Sequence, residues 1–225
     1  MSSGCSTDGA DRTAQGEGDI LTIWGRKTSS NVQKVLWVCT DLGIEYERLD
    51  WGGEFGGNDA PAYRTMNPNG LVPTVQDGEL VIWESNTIMR YLCAVYGGAA
   101  LHPADPARRS YVERWMDWQL SRLNAPLAGL MRGYYRTPEP QRDFPMLTRY
   151  RIEAVALWEM VEHQLAGQDY LAENTFTLAD IGVGIWAHRW FHYPIERPEM
   201  PALTKWYQRL QQRPGFAAHV AGPIG

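Results

Sequence analysis

The fold is decided by one stretch of sequence, which reads NPNGLVPTVQDGELVIWESN from Asn67 to Asn86. Within it, Asp77-Gly78 separates two short apolar runs, a strong signal for a hairpin with a two-residue primed turn. Ser85 stands at the N-cap position before apolar residues at helical spacing. The stretch therefore predicts two short strands that lead directly into a helix.

The Val72-Pro73 dipeptide opens the first of these strands. Proline has no amide hydrogen and extends the residue before it, so this dipeptide is expected at a sheet edge or a turn. A cis bond would leave the main chain of Val72 free to pair with an extended ligand, but the sequence does not decide the isomer. The helix start at Ser85 offers free amides that suit a carboxylate ligand, although an ordinary capped helix explains the same pattern.

Composition indicates a globular protein and excludes several classes of partner. The chain has 225 residues, of which 44% are hydrophobic, enough for one large domain or two small ones. Its net charge is −5 and no block of Lys or Arg dominates, so we expect no nucleic-acid partner. No run reaches the roughly 18 apolar residues of a membrane span, and the first 19 residues lack a secretory h-region.

Cysteine usage agrees with a soluble, cytoplasmic protein without a membrane anchor. Cys5, Cys39 and Cys93 are far apart and form no C-x-x-C pair, so neither a disulfide framework nor a zinc site is expected. His188 and His192 are four residues apart, but no third ligand is evident, and we predict no metal.

The first half of the chain predicts a β-α-β unit. Residues 1–19 are rich in Ser, Gly, Thr and Asp and are expected to be a flexible extension. A strand is predicted from Ile20 to Gly25 and another from Ile44 to Leu49. The helix between them is capped by Ser30 or Asn31 and ended by Gly43.

The second half predicts only helices. Helical spacing runs from Asp105 to Met131, with Pro126 expected to kink or break the helix, and again from Phe144 to Leu165. Thr177 and Asp180 have the spacing of a capping box at the start of a third helix, and a last helix is predicted from Pro201 to Arg213.

Three motifs resemble a known family when they are taken together. The pattern Asn-Pro-x-x-x-Val-Pro from Asn67, the Asp77-Gly78 pair and Glu-Ser-Asn-x-Ile from Glu84 are similar to the glutathione-binding half of the glutathione S-transferases, particularly bacterial, serine-type members of theta, nu or beta character. The resemblance covers roughly residues 20–215. It implies an α/β, thioredoxin-like domain at residues 20–96, a linker at 97–104 and an all-α bundle domain at 105–225.

The resemblance also implies a site. Glutathione, as co-substrate, would bind along residues of the deciding stretch, namely Asn69, Val72, Pro73, Glu84 and Ser85. A hydroxyl at a helix start can hold a thiolate ionised, and Thr28, Ser29, Ser30 and Asn31 all qualify by type, although each also suits a helix cap. The family pattern favours Ser29, with Ser30 beside it and Asn31 assisting.

Two further features concern the glycine end of glutathione and the pocket for the electrophile. Leu71 replaces the polar residue that many transferases carry before Val-Pro, so the glycine end of glutathione would need Asn69 or a base such as Arg26. Trp115 and Trp118, close together on one predicted helix, are candidates to line a pocket for an apolar electrophile, with core packing as the alternative.

The resemblance implies a homodimeric glutathione transferase that conjugates glutathione to an electrophilic small molecule, as in detoxification. A glutathione-dependent disulfide reductase or a dehalogenase on the same scaffold is one alternative. A member that has kept the fold as a non-catalytic binding module is another.

Overall fold

The computed structural model describes residues 20–224, so the predicted extension at residues 1–19 lies outside the described residues. The described chain contains a small mixed sheet with helices, followed by a helical domain. The strands are β1 (Leu21–Trp24), β2 (Tyr46–Leu49), β3 (Thr74–Asp77) and β4 (Leu80–Trp83). The α-helices are α1 (Ser30–Leu42), α2 (Pro61–Met66), α3 (Ser85–Val95), α4 (Pro106–Trp118), α5 (Asn124–Met131), α6 (Phe144–Leu165), α7 (Leu178–His192), α8 (Pro201–Gln211) and α9 (Pro214–His219).

The sheet has the strand order β2-β1-β3-β4, in which β1 and β2 are parallel and the other pairs are antiparallel. The β-α-β prediction is confirmed. Helix α1 makes the crossover, and its segment from Val32 to Cys39 is buried because sheet and helices cover it on all sides. Gly43 ends the helix as predicted, with φ of +66°. The N-cap is Ser29, one residue before the predicted Ser30 or Asn31.

The hairpin turn is one residue later than the sequence indicated. Asp77 pairs with Leu80, so the two turn residues are Gly78 and Glu79 rather than Asp77 and Gly78. The Asp77 carboxylate accepts hydrogen bonds from the hydroxyls of Tyr91 at 2.7 Å and Tyr96 at 2.9 Å, which hold this residue in the strand. Gly78 alone takes the positive φ, +60°, that a type II′ turn requires at its first position.

Helical backbone continues past Pro126, so the predicted break at this residue is wrong. Helices α4 and α5 are joined by a π-helical turn at Gln119–Leu123, and a second one follows α5 at Arg132–Arg136. The wider turn ahead of Pro126 accommodates the missing amide, since a π turn relaxes the regular hydrogen-bond ladder. Helix α4, the first π turn, α5 and the second π turn therefore form one continuous helical rod across the second domain.

The later helices largely follow the prediction. Helix α6 has the predicted bounds, and Thr177 is the N-cap of α7 with Asp180 reaching back to its amide at 2.9 Å. Helix α8 ends at Gln211, and the sequence reasoning missed α9, which begins at Pro214. Proline at the first position of a helix needs no amide partner, so it starts this helix rather than closing the bundle. No described helix is both long and apolar enough to cross a membrane.

Asp180 is the polar centre of the helical domain. It is fully buried, and its carboxylate accepts hydrogen bonds from the amides of Leu171 and Thr177 and from the indole of Trp206. Burial raises the pKa of this carboxyl to about 6, against the opposing effect of its hydrogen bonds. The residue thus joins the loop before α7 to α8.

We expect Asp180→Ala to lower the free energy of unfolding by about 3 to 5 kcal/mol, because three buried donors lose their acceptor. Urea denaturation measures this change. Asp117→Ala is the control, since Asp117 is an exposed partner of Arg90 and its loss should cost less than about 1 kcal/mol. Equal effects of the two substitutions would contradict the central role of Asp180.

Candidate active site

A cleft of about 380 Å³ lies between the two domains. On the sheet side it is lined by Arg26, Leu71 and residues 28–31 at the start of α1. On the helical side it is lined by residues of α5, the π turn that follows it, and α7. The loop after β1 forms one wall because the carboxyl ends of strands in an open α/β sheet carry the ligand-binding loops.

Ser29 has a free hydroxyl at this cleft. Its backbone is extended, its carbonyl accepts the first hydrogen bond of α1 from Gln33 at 2.9 Å, and its side chain makes no capping hydrogen bond. The hydroxyl of an N-cap serine usually accepts a hydrogen bond from an amide of the first helical turn. The hydroxyl of Ser29 makes no such bond, so it is available to a ligand. Thr28 and Ser30 also line the cleft, and the geometry leaves all three hydroxyls as candidates.

The structure brings the starts of α1 and α3 into direct contact. The hydroxyl of Ser85 donates to the side-chain oxygen of Asn31 at 3.3 Å, although the two residues are 54 positions apart. Asn31 lines the cleft, and Ser85 is only 3% exposed. Two helix N-termini with their free amides therefore meet at one place, which favours a ligand with negative groups.

Glu84 has a strained backbone. Its φ is +74°, and it is the one described residue other than glycine with a positive φ. Such a conformation costs about 1 to 3 kcal/mol and is often found at functional sites. Glu84 is the N-cap of α3, but its side chain is exposed and does not cap the helix. The carboxylate is therefore left for another partner.

The Val72-Pro73 bond is cis. The loop before it is fixed at the carbonyl of Leu71, which accepts hydrogen bonds from Tyr63 at 2.7 Å and Asn67 at 2.9 Å. Among the described residues, no main-chain hydrogen bond is formed by Val72, since the pairing of β3 with β1 starts at Thr74. The backbone of Val72 thus has unpaired donor and acceptor groups beside the exposed side chain of Leu71.

Asn69 and Arg26 have different positions relative to the cleft. The amide and the side-chain nitrogen of Asn69 both donate to the side-chain oxygen of Asn67 at 3.1 Å, and Asn69 does not line the cleft. Arg26 does line it. Of the two residues considered for the far end of the ligand, the structure brings only Arg26 to the cleft.

The two tryptophans proposed for the second-substrate pocket are not at this cleft. Trp115 and Trp118 pack edge to face with ring centroids 5.1 Å apart, and Trp115 is buried. The wall is instead formed by residues further along the same rod, Asn124 to Arg136, together with Trp186. The sequence indicated the correct helical segment, but the residues that line the cleft lie after the first π turn rather than before it.

Four arginines line the cleft, at positions 26, 132, 136 and 189. Arg189 is only 3% exposed, and it donates to the carbonyl of Thr28 at 3.3 Å and the side-chain oxygen of Gln33 at 3.1 Å. Burial lowers the pKa of Arg189 to about 10, and the charge of Arg136 adds to this effect. Sequence reasoning missed this residue, for which the only signal was an arginine inside the apolar sequence of α7.

Lys34 is a second buried cation, one turn into α1. Its ammonium donates to the side-chain oxygens of Gln119 at 2.7 Å and Asn86 at 3.3 Å, so it joins α1 to the π turn and to α3. Complete burial lowers the pKa of Lys34 to about 7, with the charge of Glu84 opposing this shift. The position was not anticipated, because α1 gives no sign in sequence that its whole circumference is covered.

The two described thiols and the histidines do not line the cleft. Cys39 and Cys93 are buried, and burial raises the pKa of each thiol to about 12, so neither is poised as a nucleophile. His188 bonds to Tyr207 and to the carbonyl of Gly222 in the core. Within residues 20–224, no group of three potential metal ligands is found.

These features define a class of protein: a thioredoxin-like domain with a cis-proline loop, packed against a helical domain across a cleft lined by four arginines. Models of two domains match the chain, the glutathione S-transferase N-terminal domain at residues 28–95 and the C-terminal domain at residues 153–214. The chain belongs to the glutathione S-transferase family.

Individual relatives agree with this assignment. Glutathione S-transferase GstB of Escherichia coli is 37% identical over 207 residues, which is 91% of this chain and 100% of the relative. Disulfide-bond oxidoreductase YfcG of Escherichia coli is 25% identical, over 82% of this chain and 87% of the relative. The theta class glutathione S-transferase of Xanthomonas axonopodis pv. citri, solved with glutathione bound, is 46% identical with a TM-score of 0.88, over 91% of this chain and 99% of that chain.

We expect the stability difference between the wild type and Lys34→Met to depend on pH. The lysine pKa falls from 10.5 to about 7 on folding, so between these values the unfolded chain binds the proton and the folded protein does not. Wild-type stability should therefore rise with pH across this window relative to the variant, by up to about 1.4 kcal/mol per pH unit.

Urea denaturation across this interval measures the difference. The exposed Lys205→Met is the control and should show no such trend. A difference for Lys34→Met that is constant with pH would show that Lys34 does not lose its proton on folding.

Proposed function

We propose that the protein is a glutathione transferase that joins the sulfur of glutathione to an electrophilic small molecule. The observation that carries this proposal is the meeting of two helix starts beside the cleft, where the Asn31–Ser85 hydrogen bond joins them and the free hydroxyl of Ser29 lines the cleft. Glutathione has a thiol and two carboxylates, and this arrangement offers hydroxyl, amide and arginine donors. The relative from Xanthomonas, which is 46% identical, has glutathione bound.

Four contacts would orient glutathione. Its γ-glutamyl carboxylate would bind at the start of α3 with Ser85, where free amides and the helix dipole favour a negative group, and its ammonium would face the carboxylate of Glu84. Its cysteinyl main chain would pair with the free groups of Val72, next to the cis Pro73. Its glycine carboxylate would meet Arg26, which lines the cleft.

The sulfur would then lie at the start of α1. A hydrogen bond from Ser29 to the thiolate, the positive end of the helix dipole and the nearby charge of Arg189 all favour the ionised form over the thiol. Asn31 would assist by holding Ser85 in place. The chemistry is nucleophile activation through a lowered thiol pKa, with the second substrate positioned against the sulfur by the helical wall.

We expect Ser29→Ala to raise the pKa of bound glutathione and to lower kcat at neutral pH by about 100-fold, because the thiolate loses its hydroxyl donor. Titration of the ultraviolet absorbance of the bound thiolate gives the pKa, and the pH dependence of kcat gives an independent value. Ser110→Ala, an exposed serine on α4, is the matched control. If Ser30→Ala moves the pKa and Ser29→Ala does not, the donor is Ser30.

A second candidate is glutathione-dependent disulfide reduction, which is favoured by the likeness to the disulfide-bond oxidoreductase YfcG. Of the described thiols, Cys39 and Cys93 are buried with raised pKa values, so in this reaction the attacking sulfur would come from glutathione. That thiolate would attack one sulfur of the substrate disulfide and release the other as a thiolate. The thiolate of a second glutathione would then attack the glutathione sulfur of the mixed disulfide, which forms glutathione disulfide and releases the remaining half of the substrate as a thiolate.

Parallel assays separate the two reactions. We expect conjugation of 1-chloro-2,4-dinitrobenzene or a comparable electrophile, followed by absorbance, to exceed reduction of 2-hydroxyethyl disulfide, followed by coupled glutathione reductase. The reverse order would favour the reductase. Retention on immobilised glutathione without turnover of either substrate would favour a non-catalytic binding module.

A further inference from the structure

The helical wall of the cleft has a positive charge that the described protein does not neutralise. Arg132 and Arg136 come from the second π turn and Arg189 from α7, and all three line the cleft. Among residues 20–224, none of the three forms an ion pair or a hydrogen bond with a carboxylate, although the chain as a whole is acidic, with a net charge of −5. The wall of the cleft is thus positively charged, although the net charge of the chain is negative.

The positive charge of Arg189 is energetically unfavourable when no ligand is bound. Arginine is almost never fully buried unless it is paired, and the side-chain bonds of Arg189 go to neutral oxygens of Thr28, Gln33 and Ile185. Burial lowers the pKa of Arg189 and of Arg26, and the charge of Arg136 lowers both further, so Arg136 lies close to each. The unpaired cations of the helical wall focus a positive potential into the concave site, which attracts anions.

Glutathione does not account for all of this charge. In the proposed binding mode, one carboxylate of glutathione lies at Ser85 and the other at Arg26, both on the sheet side. Arg132 and Arg136 lie on the opposite wall, where the second substrate would sit, and both side chains are exposed to it. An arginine guanidinium binds a carboxylate with two parallel hydrogen bonds, so these residues suit a substrate with that group.

We propose that the second substrate is a small electrophile that carries a carboxylate, which Arg132 and Arg136 bind while the glutathione sulfur attacks a nearby carbon. This inference rests on the proposed transferase function. It replaces the apolar pocket expected from Trp115 and Trp118, which do not line the cleft.

Iodoacetate and iodoacetamide form a matched pair of probes, because they have the same reactive carbon and differ in charge. In either reaction the sulfur–carbon bond forms as the carbon–iodine bond breaks, iodide leaves with the electron pair, and the thiol proton goes to solvent. Enzymatic rates at saturating glutathione are divided by the uncatalysed rates to remove the difference in intrinsic reactivity. We expect the resulting enhancement to be about tenfold or more greater for iodoacetate.

Arg132→Gln and Arg136→Gln, singly and together, remove the positive charges at exposed positions without disturbing the core. In the double variant, kcat/KM for iodoacetate should fall about tenfold more than kcat/KM for iodoacetamide. Arg149→Gln, an exposed arginine of α6 that does not line the cleft, is the matched control and should preserve the wild-type preference.

Other outcomes overturn the inference. Equal enhancement for the two probes would refute selection of anions while leaving the transferase function intact. A raised KM for glutathione with an unchanged ratio in the double variant would show that the arginines serve glutathione itself.

Calorimetry tests the charge preference separately from turnover, whereas the transferase function is tested by conjugation of 1-chloro-2,4-dinitrobenzene. S-carboxymethylglutathione should bind about tenfold more tightly than its S-carbamoylmethyl analogue, and the double variant should lose this difference. Equal affinities for the two conjugates would refute the proposal that the cleft selects a carboxylate.

Discussion

Helix α1 is covered by other elements on all sides from Val32 to Cys39, and this burial constrains the rest of the structure. Two polar side chains, Gln33 and Lys34, lie within that segment and must be hydrogen-bonded away from water. The side-chain oxygen of Gln33 accepts a hydrogen bond from Arg189. The ammonium of Lys34 donates hydrogen bonds to Asn86 on α3 and to Gln119 in the first π turn of the helical domain. The bonds from Arg189 to Gln33 and from Lys34 to Gln119 cross the boundary between the domains, so they fix the position of α1, and with it Ser29, relative to both walls of the cleft.

The same constraint sets the electrostatics of the cleft. Arg189 is a buried cation held by neutral oxygens, an arrangement that satisfies its hydrogen bonds but leaves its charge unneutralised. An anionic ligand that enters from solvent would offset this unfavourable charge. Arg189 therefore both bonds across the domain boundary and gives the cleft a positive charge.

Local patterns predicted a large part of the fold. The parallel strand pair, the end of α1 at Gly43, the bounds of α6 and the capping box of Thr177 and Asp180 depend on periodicity and on cap chemistry within a few residues. Errors arose where distant groups intervened. Tyr91 and Tyr96 hold Asp77 in its strand, so the hairpin turn lies one residue later than predicted. Helix α9 forms against α1 and begins at Pro214, the residue that was predicted to end the bundle.

The sequence by itself determined the family, the two kinds of domain and the residues at the starts of α1 and α3, because short motifs with fixed spacing encode them. Only the tertiary structure decided which side chains share the cleft. Helical periodicity does not say which part of a long helix meets a neighbour, and it is Arg132 and Arg136 of the second π turn that line the site instead of Trp115 and Trp118. The charge of the cleft depends on burial and on partners from distant segments, and these exist only in the folded protein.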